Sequence, residues 1–212
     1  SIYLSASLTS IPKSAFYGCE KLNGVTIPET VTKIGNNAFF GCTSLTSINI
    51  PGSVTSLGEG VFGGCSVLET IDLAVDNSGY VMIDGILFNI EQTQLIKVPL
   101  GFEGEYIVPD TVEKISAGAF AGSKVERVVL PDGMKTIGDS TFADCAFLTE
   151  VVIPDTVTSI GAKAFLGTAL KTIILPDGLL EIGEAAFQNS AIEKITIPGS
   201  VNSNLNGGIG AY

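Results

Sequence analysis

The sequence predicts a repeat solenoid with a parallel β-sheet along one side, and three observations lead there. A phenylalanine recurs as Phe16, Phe39, Phe62, Phe120, Phe142, Phe165 and Phe187, at steps of 23, 23, 58, 22, 23 and 22 residues. A proline keeps the same rhythm as Pro28, Pro51, Pro109, Pro131, Pro154, Pro176 and Pro198. Between them runs a short alternation of apolar and polar residues, as in Leu45-x-x-Ile48-x-Ile50.

Within one repeat, that alternation fits a half-buried strand. The proline that follows closes it, because proline cannot donate to a central ladder. The remaining half, Ile34-Gly35-x-x-Ala38-Phe39, is too short for a full helix and suits a helical turn or an irregular arc. One repeat cannot bury its own apolar face, whereas stacked neighbours can.

The phenylalanine column is expected to form a stacked spine in the core. An exposed ladder for sugar rings is the alternative, but the Ala and Gly beside each ring suit a tight interior corner. Cys19, Cys42, Cys65 and Cys145 share one column with Ser123, Thr168 and Ser190, so the position asks for a small side chain. Their spacing is not that of a metal site, and free, mostly buried thiols are expected. Asp110, Asp132, Asp155 and Asp177 follow the strand proline. They read as turn residues; a line of cation sites is the sharper alternative, against which Gly52 and Gly199 stand in the same column.

About 35 extra residues separate Leu73 from Pro109. Tyr80 to Asn89 is apolar on both sides of Asp84-Gly85, the signature of a two-residue hairpin, and Leu95 to Pro99 reads as a further strand. Asp76-Asn77-Ser78-Gly79 has the residue types of a calcium loop without its ligand spacing, so it reads as a turn. The insert serves packing or carries function, as loops on rigid scaffolds often do.

The pattern "VTSIGxxAFxGCxxLxxIxIP" resembles the BspA-like leucine-rich repeats of bacterial surface antigens. The resemblance covers the chain from about Leu4 to Val201. It departs from better-known leucine-rich repeats, with a proline where an asparagine usually follows the strand. It implies a right-handed curved array, with the parallel sheet on the concave face and short helical turns or irregular arcs on the convex side. It also implies a secreted or cell-wall location, with adhesion roles assigned to some members. The chain is thus expected to be a single leucine-rich-repeat domain over residues 1–212, with an insert at about 74–106 and an irregular tail at 199–212.

Composition narrows the function. With 45% apolar and 16% charged residues, the whole chain is not disordered. Its 22 acidic against 11 basic residues give a net charge of −11, which repels nucleic acid and anionic lipid. There is no histidine, which removes histidine-based nucleophilic catalysis and imidazole metal sites. Paired carboxylates can serve a glycosidase, yet most acids here sit at periodic positions. No phosphate-cradling glycine motif is present. No catalysis, cofactor, metal or membrane insertion is expected. The start, Ser1-Ile2-Tyr3-Leu4, lacks signal-peptide features, so the chain reads as a mature or excised piece.

The expected function is a non-enzymatic extracytoplasmic module that recognises a protein or glycan through its sheet. The alternative is a structural spacer that projects another domain, and a monomer or weak end-to-end association is expected. The candidate surface is the strand position between the two inward residues, which must face outward. Down the array it carries Tyr3, Thr26, Asn49 and Asp72, then four consecutive aliphatics, Ile107, Val129, Val152 and Ile174, then Thr196. At the ~4.8 Å strand spacing, the four aliphatics make a stripe of roughly 15 Å. Two residues earlier stand Glu105, Arg127, Glu150, Thr172 and Lys194. An apolar strip edged by charge has the composition of a binding patch, with Arg127 and Glu150 at its edge and Arg127 as the polar anchor. Burial under the inserted hairpin would end that reading.

Overall fold

In the computed structural model, residues 1–201 are described, so residues 202–212 of the expected tail lie outside that range. The chain divides into two compact units, Ser1–Leu100 and Gly101–Tyr212. Each is a stretch of β-solenoid with parallel ladders, and no helix occurs among the described residues. Accordingly, no described helix is long and apolar enough to cross a membrane.

The first unit contains β1 (Ile2–Tyr3), β2 (Ser10–Ile11), β3 (Val25–Thr26), β4 (Lys33–Ile34), β5 (Ser47–Ile50), β6 (Ser56–Leu57), β7 (Thr70–Leu73), β8 (Tyr80–Ile83), β9 (Ile86–Asn89) and β10 (Gln94–Lys97). Strand β1 pairs in parallel with β3, and β5 with β7, in the ladder that the alternation predicts. In β5, Ile48 and Ile50 are buried while Ser47 and Asn49 are exposed. A second parallel ladder, β2-β4-β6, lies in the segment expected to be only a turn or arc. It aligns Ile11, Ile34 and Leu57, so every repeat contributes two rungs.

The second unit contains β11 (Glu103–Ile107), β12 (Lys114–Ile115), β13 (Lys124–Val129), β14 (Thr136–Ile137), β15 (Glu150–Val152), β16 (Ser159–Ile160), β17 (Thr172–Ile173), β18 (Glu181–Ile182) and β19 (Lys194–Ile195). The same two ladders recur. One runs β11-β13-β15 with the pair β17-β19, and the other runs β14-β16-β18.

The phenylalanine arc is irregular and not helical, and its backbone is satisfied from turn to turn. Phe142 N–H donates to Ala164 O at 2.8 Å, and Phe165 N–H to Ala186 O at 2.7 Å. At Phe16, Phe39, Phe120, Phe142 and Phe165 the residues two before and two after the ring also donate to the next turn, as Ser140 does to Ala162 and Asp144 to Leu166. This geometry places both flanking positions in the left-handed region, for example Ser140 at φ 53° and Asp144 at φ 58°. The rings stack as expected: Phe16 on Phe39 at 5.3 Å, Phe142 on Phe165 at 5.3 Å and Phe165 on Phe187 at 5.4 Å. All but Phe16 are buried.

All four cysteines are free thiols, and three of them are fully buried. Each buried thiol donates to the phenylalanine carbonyl of the preceding turn: Cys42 to Phe16 O, Cys65 to Phe39 O and Cys145 to Phe120 O, at 3.1–3.2 Å. The shorter hydroxyls of Thr168 and Ser190 reach only the phenylalanine carbonyl of their own turn. The column therefore selects a small hydrogen-bond donor, which adds a second bond to a carbonyl that already accepts a backbone N–H, as Phe16 O does from Cys19 and Phe39 O from Cys42.

The insert forms the expected hairpin. Strands β8 and β9 are antiparallel around Asp84 (φ 50°) and Gly85 (φ 79°), the double positive φ of a type I′ turn, and β10 adds to β9. Asn77 anchors the entry, and its amide is fully used. Its Nδ2 donates to Pro51 O and Val54 O, and its Oδ1 accepts from Gly79 and Tyr80 N–H. The loop is thus a structural turn. Tyr80 is buried, and its hydroxyl accepts the Leu57 N–H, so the insert completes the rung where β6 ends.

Candidate functional site

The candidate face belongs to the second unit. Register places Ile107 beside Val129 and Val129 beside Val152, while the inward neighbours Val128 and Val151 are buried. The stripe stays in solvent: Ile107 is 65%, Val152 38% and Ile174 86% exposed, and Val129 is half-buried. Ile174 immediately follows β17. A recess lies between the third and fourth strands of the face, lined by Glu150, Val152, Thr172 and Ile174 among others.

Along one edge, register aligns Glu105, Arg127 and Glu150. A bulge produces that alignment: Gly104 pairs with Val125 but Glu105 with Arg127, so Glu126 is the extra residue on β13. Gly104 at φ 83° permits it. Without the bulge, Glu105 would face Glu126, two like charges in direct opposition. With it, the guanidinium of Arg127 binds both neighbours, holding Glu105 through Nη1 and Glu150 through Nε at 3.0 Å. The hydrogen bond to Glu150 and the two carboxylates push the Arg127 pKa up, so its charge is fixed. A second pair, Lys124 with Glu103 at 2.9 Å, extends the same edge. The anchor expected from sequence is therefore already engaged by two carboxylates. Glu105 completes the group, and its signal in the sequence was Gly104, since a glycine inside a strand marks a bulge.

The other edge is the column that follows the strand prolines. Each turn is closed by backbone, as Val112 N–H donates to Pro109 O, Met134 to Pro131, Val157 to Pro154 and Leu179 to Pro176, at 2.9–3.1 Å. Hydroxyls then staple one turn to the next: Thr156 Oγ1 donates to Asp132 O and Met134 O, and Ser200 Oγ to Asp177 O and Leu179 O. The turn does not depend on its carboxylate, and Asp110, Asp132, Asp155 and Asp177 are all exposed. Among the described residues, no group of three or more Cys, Asp or Glu side chains is placed to hold a metal ion.

The architecture is shared with solved proteins. The chain is similar to the pneumococcal vaccine antigen PcpA, with 30% identity and a TM-score of 0.78 over 94% of this chain and 51% of that one. It is also similar to a leucine-rich cell surface protein of Faecalibacterium prausnitzii, with 29% identity and a TM-score of 0.71 over 97% of this chain and 61% of that one. The chain thus spans about half the length of the first and less than two thirds of the second. No curated protein matches it. The model of the BspA type leucine-rich repeat region matches residues 1–100 and 104–206 in six copies, and the chain belongs to that family.

Proposed function

We propose that this chain is a non-enzymatic binding module of an extracytoplasmic bacterial protein, recognising a protein or glycan through the outward face of its strand ladder. The observation that carries the reading is the aliphatic stripe of exposed Ile107, Val152 and Ile174 with half-buried Val129 among them. Branched aliphatics that stay in water on consecutive rungs forgo the gain of burial, on the order of 1.5–3 kcal/mol per side chain, until a partner covers them. Glu150 and Arg127 border the stripe, and the shared charge of Arg127 keeps that edge ordered. The location rests on likeness to a vaccine antigen and to a cell surface protein.

The test is a glycan array together with a pull-down from surface extracts, comparing the chain with Val152→Asp. The fold should tolerate that change, because Asp72 occupies the same strand position in the first unit. Binding lost with Val152→Asp supports the reading. The absence of any ligand that depends on Val152 would favour a spacer that projects another domain.

A further inference from the structure

We propose that the partner seated on this stripe is a cationic amphipathic helix lying along the stack of strands, a proposal that rests on the binding reading above. Three features of the second unit specify it.

The first is charge. Each stripe residue is followed three positions later by an exposed aspartate: Ile107 by Asp110, Val129 by Asp132, Val152 by Asp155 and Ile174 by Asp177. Backbone bonds close those turns, which leaves the carboxylates available to a ligand. The opposite edge offers no free cation in its centre, because Arg127 is shared by Glu105 and Glu150 and that trio carries a net negative charge. An apolar strip flanked in this way favours a partner that is apolar on one side and basic along its flank, and it disfavours an anionic one.

The second is spacing. Hydrogen-bonded rungs lie ~4.8 Å apart, so Ile107, Val129 and Val152 on the ladder β11-β13-β15 sit at about 0, 4.8 and 9.6 Å, with Ile174 on the turn beyond. Helix residues i, i+3 and i+7, at ~1.5 Å per residue, sit at about 0, 4.5 and 10.5 Å, within roughly 1 Å at each rung of that ladder, and i+10 continues toward Ile174. An extended chain places same-side residues ~6.7 Å apart and is out of step by about 2 Å at the first rung and about 4 Å at the second. A helix can therefore fill every rung, and a strand laid along the stack cannot.

The third is shape. The recess lined by Val152 and Ile174 gives the ridge of side chains on one helix face a place to seat.

The experiment uses the purified chain and three fluorescent 18-residue peptides. One carries Leu at i, i+3, i+7 and i+10 with Lys elsewhere, the second replaces Lys by Glu, and the third strictly alternates Leu and Lys. Binding is read by fluorescence anisotropy at about 150 mM salt, where long-range attraction is largely screened. The helical Leu–Lys peptide should bind at least tenfold more tightly than either of the others. Val152→Asp should weaken it at least tenfold even though it adds negative charge to an acidic protein. Asp132→Asn with Asp155→Asn should also weaken it at least tenfold, with circular dichroism showing each variant folded. Equal binding of the helical and alternating Leu–Lys peptides, or binding undiminished by either variant, overturns the proposal. A neutral glycan that needs Val152, found while no peptide binds, would overturn the cationic helix and leave the binding reading standing.

Discussion

The guanidinium of Arg127 reaches Glu150 on one side, with Nε 3.0 Å from Oε2, while it holds Glu105 on the other. One cation thus fixes two carboxylates, one on the rung to each side of its own. Exposed pairs of this kind contribute little in physiological salt, and their effect depends on screening. Arg127→Ala is therefore expected to leave the melting temperature of the chain unchanged at about 1 M salt and to lower it measurably at about 10 mM, where the unpaired carboxylates are unscreened. An equal effect at both salt concentrations would show that the side chain acts by packing.

A second expectation concerns how closely the turns approach. An added Cβ on Gly183 would lie 2.4 Å from Ala162 N, and one on Gly161 2.6 Å from Asp139 N. Both contacts are with backbone, which cannot swing away. At Gly138, in the same repeat position, the nearest atoms are 3.6 and 3.8 Å away. Gly183→Ala should cost about 1–3 kcal/mol by overpacking, whereas Gly138→Ala should be neutral or stabilise by up to about 1 kcal/mol. Chemical denaturation of the two variants separates a steric demand from a general need for glycine in that column.

Much of the architecture was legible because its determinants repeat. The phenylalanine, proline and small-donor columns each mark one corner of the turn, and the Asp84-Gly85 pair marks the hairpin. The second ladder was not legible, because a strand of two residues such as Lys33–Ile34 carries no measurable alternation. Its stability comes from neighbouring turns, which a single repeat does not display. The outward position of Val152 followed from alternation alone. The engagement of Arg127 depended on a one-residue bulge, and alternation cannot count an extra residue. The aspartates lie in turns as their residue type implies, and the proline carbonyls with the hydroxyls of Thr156 and Ser200 close and staple those turns.

The arc offers a third expectation. Lys163 adopts φ 57° two residues before Phe165, where the first unit places Gly60 at φ 61°. A side chain there costs about 1–2 kcal/mol, partly offset by the greater entropy of an unfolded glycine. Lys163→Gly should raise the unfolding free energy by about 0.5–1 kcal/mol. Lys163→Ala, which keeps the Cβ and removes the charge, should not. If alanine stabilises as much as glycine, the gain comes from charge and not from backbone strain.

The last expectation concerns alkaline pH. Burial pushes the Cys65 thiol up from 9.0 to about 12, helped by the neighbouring Cys42 and opposed by Lys97. In the unfolded chain the thiol ionises near its ordinary value, so above about pH 9 the unfolded state holds fewer protons than the folded one. Unfolding then becomes easier as pH rises, by up to about 1.4 kcal/mol per pH unit for this one group, until the folded thiol itself ionises. Well below that ordinary value both states keep the proton and no dependence arises from it. Cys65→Ser removes the titration while keeping a small donor, as Ser123 is at the same repeat position. Urea denaturation under reducing conditions at pH 7.5, 9.0 and 10.5 should therefore give a small divergence between the first two values, with the wild type losing stability faster beyond pH 9. Lysine and tyrosine titrations are common to both proteins and cancel in the comparison. No divergence above pH 9 would mean that the thiol is not held protonated in the core.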